Sequence, residues 1–484
     1  MDKKIVEAGR GNRYPKLTVS KKLLCSSVWA GMLLLFQPVY AEKMPAYADN
    51  LSVYTGSSPV VYTGTLIELY KLALENDPHF QGARHQHMAA AQASNQSLAA
   101  LLPAVNFNYQ DSYTDQNIIS SDNGSYTVGK SNFGSKAFTL KLTQPVINFS
   151  SMARHRQAKA EVKKADARFE AEKQNLVLRV AELYMQALVA EDSLTFTKAE
   201  KAAVKSQLEL ARERLKIGLA RKADLLDAKS RYANVEAAVI EEHDKLDDSL
   251  QAIKEVAGTL PRGTLSRLQD DFKLVPPVPA NVDTWIDAAI KQNPIIIMNN
   301  FEVEAATEEV ERQRAGHYPT LDLIAKKDRR NTEGSLYGGG SEIGNQNLTM
   351  ELNVPLYQGG IVSSRTKQAA ELYQQAIQDT EKQRRALVRE TRAAYFGVIS
   401  AIKRVKALGE SVKAQRSVLQ VKQEGFKAGL YTGMAVLDAE RDYYMAKKDY
   451  TKARYRYILN TLRLKRATGV LSEVDLNEIN QWFN

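Results

Sequence analysis

Residues 214–232 read R-L-K-I-G-L-A-R-K-A-D-L-L-D-A-K-S-R-Y, and residues 425–443 read G-F-K-A-G-L-Y-T-G-M-A-V-L-D-A-E-R-D-Y. At an offset of 211, seven of the 19 positions are identical, where unrelated segments share about one. Tyr184 matches Tyr395 and Gly258 matches Gly469 at the same offset. Upstream, Asn76-Asp77-Pro78 and Leu102-Pro103 are answered 216 residues later by Gln292-Asn293-Pro294 and Tyr318-Pro319. The chain is therefore written twice. The first repeat covers 65–258 and the second 283–470, joined by a Pro-, Gly- and Asp-rich linker at 259–282 and followed by a tail at 471–484. Repeats of this length are a duplication, because solenoid units are only about 20 to 45 residues long.

Both halves change pattern in the same order. A helical opening, broken at Pro78 in the first half and capped by Thr65, gives way to period-2 alternation, the mark of a strand whose faces meet different media. Val105, Phe107, Tyr109 and Tyr113 alternate with Asn106, Asn108, Gln110, Ser112 and Thr114, and Phe138, Leu140 and Leu142 alternate with Thr139, Lys141 and Thr143. The second half repeats this with Leu321, Leu323 and Ala325, interrupted by Ile324, and with Leu348, Met350, Leu352 and Val354. The hairpins fall at about 104–145 and 319–356. Four strands cannot close a barrel, and an open edge in lipid leaves backbone groups unpaired. Copies of the chain must share the barrel. Two copies give about eight strands and an interior filled with side chains, whereas three give about twelve and a channel. The polar strand faces require a wet lumen, so three copies are expected.

After each hairpin, 151–216 and 361–427 contain no proline and are dense in Ala, Glu, Lys, Gln and Leu. At 1.5 Å per residue each makes a rod of roughly 100 Å. The rods end at Gly218-Leu219 and Gly429-Leu430 and are answered by helices at 223–257 and 434–467. Glycine there suits the left-handed residue that ends a helix. Spacings such as Leu176, Val180, Leu183 and Ala187 give one apolar face with the small side chains that close coiled packing needs.

Composition sets the compartment. The chain has 484 residues, a formal net charge of +10 and a single Cys. Residues 1–41 carry seven Lys/Arg and two Asp/Glu, an apolar run at 23–36, and Val39-Tyr40-Ala41 before the cut, the signature of a secretory signal peptide. Without them the net charge is +5, from 59 basic and 54 acidic residues, so nucleic acid is not an expected partner. Residues 42–64 form an N-terminal extension. Cys25 lies within the signal behind Leu24, where a lipid-attachment site needs a small residue, and the thiol-free remainder suits an oxidising compartment.

Together these features resemble the TolC family of outer-membrane export channels over essentially the whole secreted chain. The most specific pieces are the paired turns, the strand ends Thr143-Gln144-Pro145-Val146 and Asn353-Val354-Pro355-Leu356-Tyr357-Gln358-Gly359-Gly360, and the ending Leu471-Ser472-Glu473-Val474-Asp475-Leu476. The resemblance implies an α+β membrane protein in a Gram-negative bacterium. Its homotrimeric 12-stranded outer-membrane β-barrel takes four strands per chain and continues as a periplasmic α-helical coiled-coil tunnel. It implies a passive exit duct, with a periplasmic adaptor and an inner-membrane ABC or proton-driven pump as partners and outer-membrane lipid around the barrel. Type I protein secretion is the expected use, with small-molecule efflux as the alternative. By the same resemblance Gly218, Leu219, Gly429 and Leu430 dock the adaptor, Asp224 is an acceptor in the contacts that close the tip, and Asp438 lines the aperture, where three copies favour cations. The chain departs from the family prototype at Phe426, which replaces a tyrosine, at Tyr431, which replaces an arginine, and at Ala435, which replaces an acid. Phe426 donates no hydrogen bond, so Tyr431, or Arg221 and Lys222, is expected to supply the substitute.

No enzymatic site is expected. The six His are scattered, His85 and His87 point away from each other on a helix, and no nucleophile elbow, phosphate loop or Cys/His cluster occurs. Neither a cofactor nor a metal is predicted. The rival from another class is a soluble periplasmic coiled-coil adaptor or scaffold, which would lack a lipid-facing band.

Overall fold

The computed structural model describes residues 62–120, 122, 128–269, 272–334 and 339–483. The signal peptide at 1–41, nearly all of the extension at 42–64, and the crowns of both hairpin loops lie outside the described residues.

The order of elements is the same in the two halves. Helices α1 (Leu66–Asn76) and α2 (Pro78–Ala99) lead into strands β1 (Ala104–Ile118) and β2 (Gly129–Ile147), then α3 (Phe149–Lys216) and α4 (Lys222–Ala257). Helices α5 (Val282–Gln292) and α6 (Pro294–Arg314), strands β3 (Thr320–Thr332) and β4 (Ser341–Asn353), and helices α7 (Ile361–Lys427) and α8 (Gly433–Ala467) repeat it. A short α9 (Glu473–Asn480) turns the expected tail into a capped helix, with the Ser472 N–H donating to Asp475 Oδ2 at 2.7 Å.

The repeat is chemical as well as topological. Asp77 and Asn293 each cap the helix that begins at the following proline, accepting from the N–H of His79 at 3.0 Å and of Ile295 at 2.9 Å. Proline at the first helical position loses no hydrogen bond, since that N–H has no partner in the helix. Gly258 and Gly469 end α4 and α8 in the left-handed conformation, with φ of 76° and 77°. The second is also cramped: a Cβ at Gly469 would lie 2.7 Å from the Asn293 Cα and the Gln292 carbonyl. The Asn293 amide donates to the Ala467 carbonyl at 2.9 Å. The end of α8 is thus clamped to the elbow between α5 and α6.

The four strands form one antiparallel sheet in the order β1-β2-β3-β4, so the hairpins of the two repeats join through β2 and β3. Register puts Val105, Leu142, Ala325 and Leu348 in one row, and Asn106, Lys141, Lys326 and Asn347 in the next, on the opposite face. Phe107 is 68% exposed, Leu348 74% and Met350 67%. A sheet face of large, solvent-free-seeking side chains left bare in this way suits lipid. The apolar band runs obliquely across the sheet. Phe107 pairs with Leu140 and Leu140 with Lys327, whereas the apolar residues of β3 centre on Leu323, four positions away. Leu323 pairs with Met350, so between Phe107 in β1 and Met350 in β4 the band shifts by four residues, about 13 Å along a strand, over three strand spacings, about 14 Å across the sheet, an inclination of roughly 45°. Membrane β-strands tilt by about that much.

Below the sheet, α3 and α7 run without interruption. Near the strands α3 packs on α6, tied by Arg156 Nε to Glu308 at 2.8 Å; farther down it packs on α4, tied by Lys201 to Glu236 at 2.8 Å. Ala153, Ala158, Ala160, Ala167, Ala181 and Ala187 are buried along its seam. Around the middle, Tyr184 donates to the carbonyls of Gly64 and Ser266 or shares its proton between them, at 2.9 and 3.0 Å, and sits edge-on against Phe483. This fastens the residues just before α1, the linker and the segment after α9 onto α3.

Gly469→Ala forces both a disfavoured backbone conformation and a backbone clash. It is expected to destabilise by well over ~1 kcal/mol, and Gly258→Ala by less, because there an added Cβ meets only Asn76 at 3.5 Å. Thermal loss of the helical circular-dichroism signal measures both.

Candidate functional site at the helix tips

The strands end and the long helices begin at Asn148 and Gly360, so the far ends of α3 and α7 lie roughly 100 Å of helix away from the sheet. Two turns meet there. In the first, the Leu219 N–H donates to the Arg214 carbonyl at 2.8 Å and the Gly218 N–H to Leu215 at 3.1 Å. In the second, Leu430 donates to Gly425 at 2.7 Å and Gly429 to Phe426 at 3.2 Å. Both are Schellman closures that satisfy the last carbonyls of a helix. Gly218 and Gly429 have φ of 76° and 78°, and a Cβ added at either would touch nothing. The conformation, not the space, favours glycine here. Leu219 and Leu430 project beyond the turns, 73% and 79% exposed.

The helices that follow are capped differently. Asp224 accepts from the Arg221 N–H at 3.0 Å and from its guanidinium at 3.1 Å. Those bonds hold the Asp224 carboxyl below the usual aspartate range. At the equivalent place α8 has Ala435, whose N–H donates instead to the Thr432 hydroxyl at 3.2 Å. One repeat caps from the third helical position and the other from the cap residue itself, which accounts chemically for the missing acid at Ala435.

Between the turns lies a cleft of about 460 Å³, whose lining includes Arg214, Asp224, Asp227, Phe426, Tyr431 and Met434. The Arg214 guanidinium stacks over the Phe426 ring, 4.2 Å from its centroid, so this phenylalanine answers a cation through its π face. The Tyr431 ring folds back on α7, so close that a Cβ at Gly425 would clash with it. The structure thus gathers Asp224, Phe426 and Tyr431 around one cleft with Gly218, Leu219 and Gly429, while Leu430 projects from the turn beside it. Asp438 stands apart on α8, half exposed, with Arg441 at 3.5 Å. Within one chain Asp224 is held by Arg221, and Lys222 begins α4. Sequence reasoning missed Arg214, which carries no motif, and Asp227, which the offset of 211 already aligns with Asp438.

Residues 69–259 and 285–470 match the sequence profile of the outer membrane efflux protein family. The chain is 32% identical to the outer membrane protein TolC of Vibrio cholerae over 425 residues, covering 87% of this chain and 94% of that protein. It is 29% identical to the proteases secretion protein PrtF of Dickeya chrysanthemi, covering 86% and 91%. Its fold matches the CmeC outer membrane channel of Campylobacter jejuni with a TM-score of 0.72 at 16% identity, covering 86% and 89%.

Asp224→Ala removes the cap of α4 and releases Arg221. It is expected to cost about 1 kcal/mol of local helix stability, seen as faster hydrogen exchange at the first amides of α4 with α8 unchanged.

Proposed function

The chain belongs to the outer membrane efflux protein family, and we propose that it is the passive exit duct of a tripartite export system, serving one-step (type I) protein secretion. The observation that carries the reading is the four-stranded sheet: one face is bare and apolar, the other polar, and β1 and β4 each pair on one side only. Three copies, joined β4 to β1, close a twelve-stranded barrel around a wet lumen and bring six long helical pairs together beneath it as a tunnel. Nothing in such a duct needs catalytic chemistry. Its selectivity is that of the tip, where three Asp438 carboxylates favour cations.

A duct of this kind moves only what an inner-membrane pump delivers through a periplasmic adaptor. The turns at Gly218-Leu219 and Gly429-Leu430 are the docking points, since they end the long helices and each carries an exposed leucine. Asp224 belongs to the contact that closes the tip, with Arg221 and Tyr431 as donors beside the cleft and Lys222 at the start of α4. Likeness to PrtF, whose name states protease secretion, supports a protein cargo.

The test is the extracellular proteome of a deletion strain beside its parent and a complemented strain. Loss of one or a few large proteins from the medium is the expected result. An unchanged secretome in cells killed by lower doses of dyes, bile salts or antibiotics would reassign the duct to small-molecule efflux.

Gly218→Asp combined with Gly429→Asp keeps a residue type that tolerates the left-handed turn while adding a charged side chain at the tips. Transport should fall by at least roughly tenfold with oligomers intact, since a buried, unpaired carboxylate at a docking surface costs more than the ~1.4 kcal/mol that a factor of ten represents. Full transport by this variant would move adaptor docking elsewhere.

A further inference from the structure

About two helical turns above the start of α8, four helices each place a polar side chain in one inward-facing layer: Glu200 from α3, Arg231 from α4, Gln423 from α7 and Glu440 from α8. Arg231 Nη2 donates to Glu200 Oε1 at 3.0 Å, and the Gln423 amide donates to Glu440 Oε1 at 3.3 Å. Glu440 is 3% exposed, and its Oε2 has no hydrogen-bond partner among the described residues. The layer rests on an apolar seam of Val204, Leu208, Ala228, Val235 and Leu437. Arg441, Tyr443, Tyr444 and Lys448 of α8 also lie around the layer. Arg441 is engaged by Asp438 at 3.5 Å and Asp442 at 2.9 Å, and Lys448 faces Glu242 at 3.8 Å.

A carboxylate buried against apolar side chains, with one oxygen lacking a hydrogen-bond partner, favours the neutral acid. We propose that Glu440 is a proton-controlled positioning residue for the aperture: protonated, it lets α8 pack onto α3, α4 and α7; ionised, it draws α8 toward water and widens the opening that Asp438 lines. This rests on the reading of the chain as a duct. Asp438 lies two residues before Glu440 on the same helix, so a shift that hydrates one displaces the other.

Burial raises the pKa of Glu440 above its ordinary 4.5, with the nearby Glu200 acting in the same direction and Gln423 opposing it. The packed arrangement therefore binds the proton more tightly than a hydrated one does. Its advantage is complete below the ordinary value and declines as pH rises from 4.5 toward the raised value, then levels off.

The test is single-channel conductance of the purified full chain in planar bilayers, followed from about pH 4 to about pH 8. Wild type and Glu440→Gln are each measured also with Asp438→Asn, so that titration at the aperture itself is absent. Conductance without Glu440 substitution should rise by roughly twofold or more across that range. Glu440→Gln, an isostere that cannot ionise, should stay at the low-pH level throughout. Glu440→Leu, which keeps the layer neutral by another route, should be equally flat, and detergent-resistant oligomers on gels establish that each variant assembles. A pH profile unchanged by either substitution overturns the inference while leaving the duct intact. Absence of conducting events from assembled wild type at any pH would overturn the duct reading, and this inference with it.

Discussion

The unpaired outer edges of β1 and β4 are the constraint on which everything else depends. Each exposes a row of peptide N–H and C=O groups along a strand of 15 or 13 residues, and hydrocarbon offers those groups no partner. In water such an edge is an aggregation hazard; in a bilayer it is untenable unless another chain supplies the missing strand. The bare apolar face of the same sheet excludes water as the permanent environment. In the proposed duct, stability of the membrane part is therefore a property of the assembly, and the single chain is one segment of it.

The duplication answers the same constraint. Each repeat delivers a hairpin followed by a helix long enough to leave the membrane, and β2 and β3 weld the two hairpins into one sheet whose outward edges, β1 and β4, are complementary as β3 and β2 are. The helices have to emerge beneath a tilted sheet without a break. Asn148 caps α3 through its side chain, whereas Gly360 enters α7 in the left-handed conformation with no side-chain cap. Alanine-rich seams then let the rods approach closely. The same departure from strict repetition recurs at the tips, where an Arg221–Asp224 pair in one half is replaced by a Thr432 cap in the other.

Much of this was legible in the residues. Period-2 alternation located all four strands, and the run without proline up to Lys427 located the end of α7, because both signals are local and repeat many times. Ile324 blurred the third strand, since one apolar residue on the polar face is enough to spoil alternation. The oblique course of the apolar band could not be read, because it depends on which residue faces which across strands, and register is a property of pairs. The site was legible only in outline. The glycines announced the turns, but the stacking of Arg214 on Phe426 joins residues 212 positions apart, and Glu440 looks in sequence like any helical glutamate. Its burial is decided by three other helices. The ending was expected as a tail, although Ser472 and Asp475 already spell a capping box.

The open space around Gly218 and Gly429 has a consequence for how such a protein changes over time. A surface tipped with bare peptide groups and a leucine offers an approaching protein features that nearly every chain can reproduce. If the tips dock a partner as proposed, little of the recognition is written in distinctive side chains, so either side can drift without losing the other.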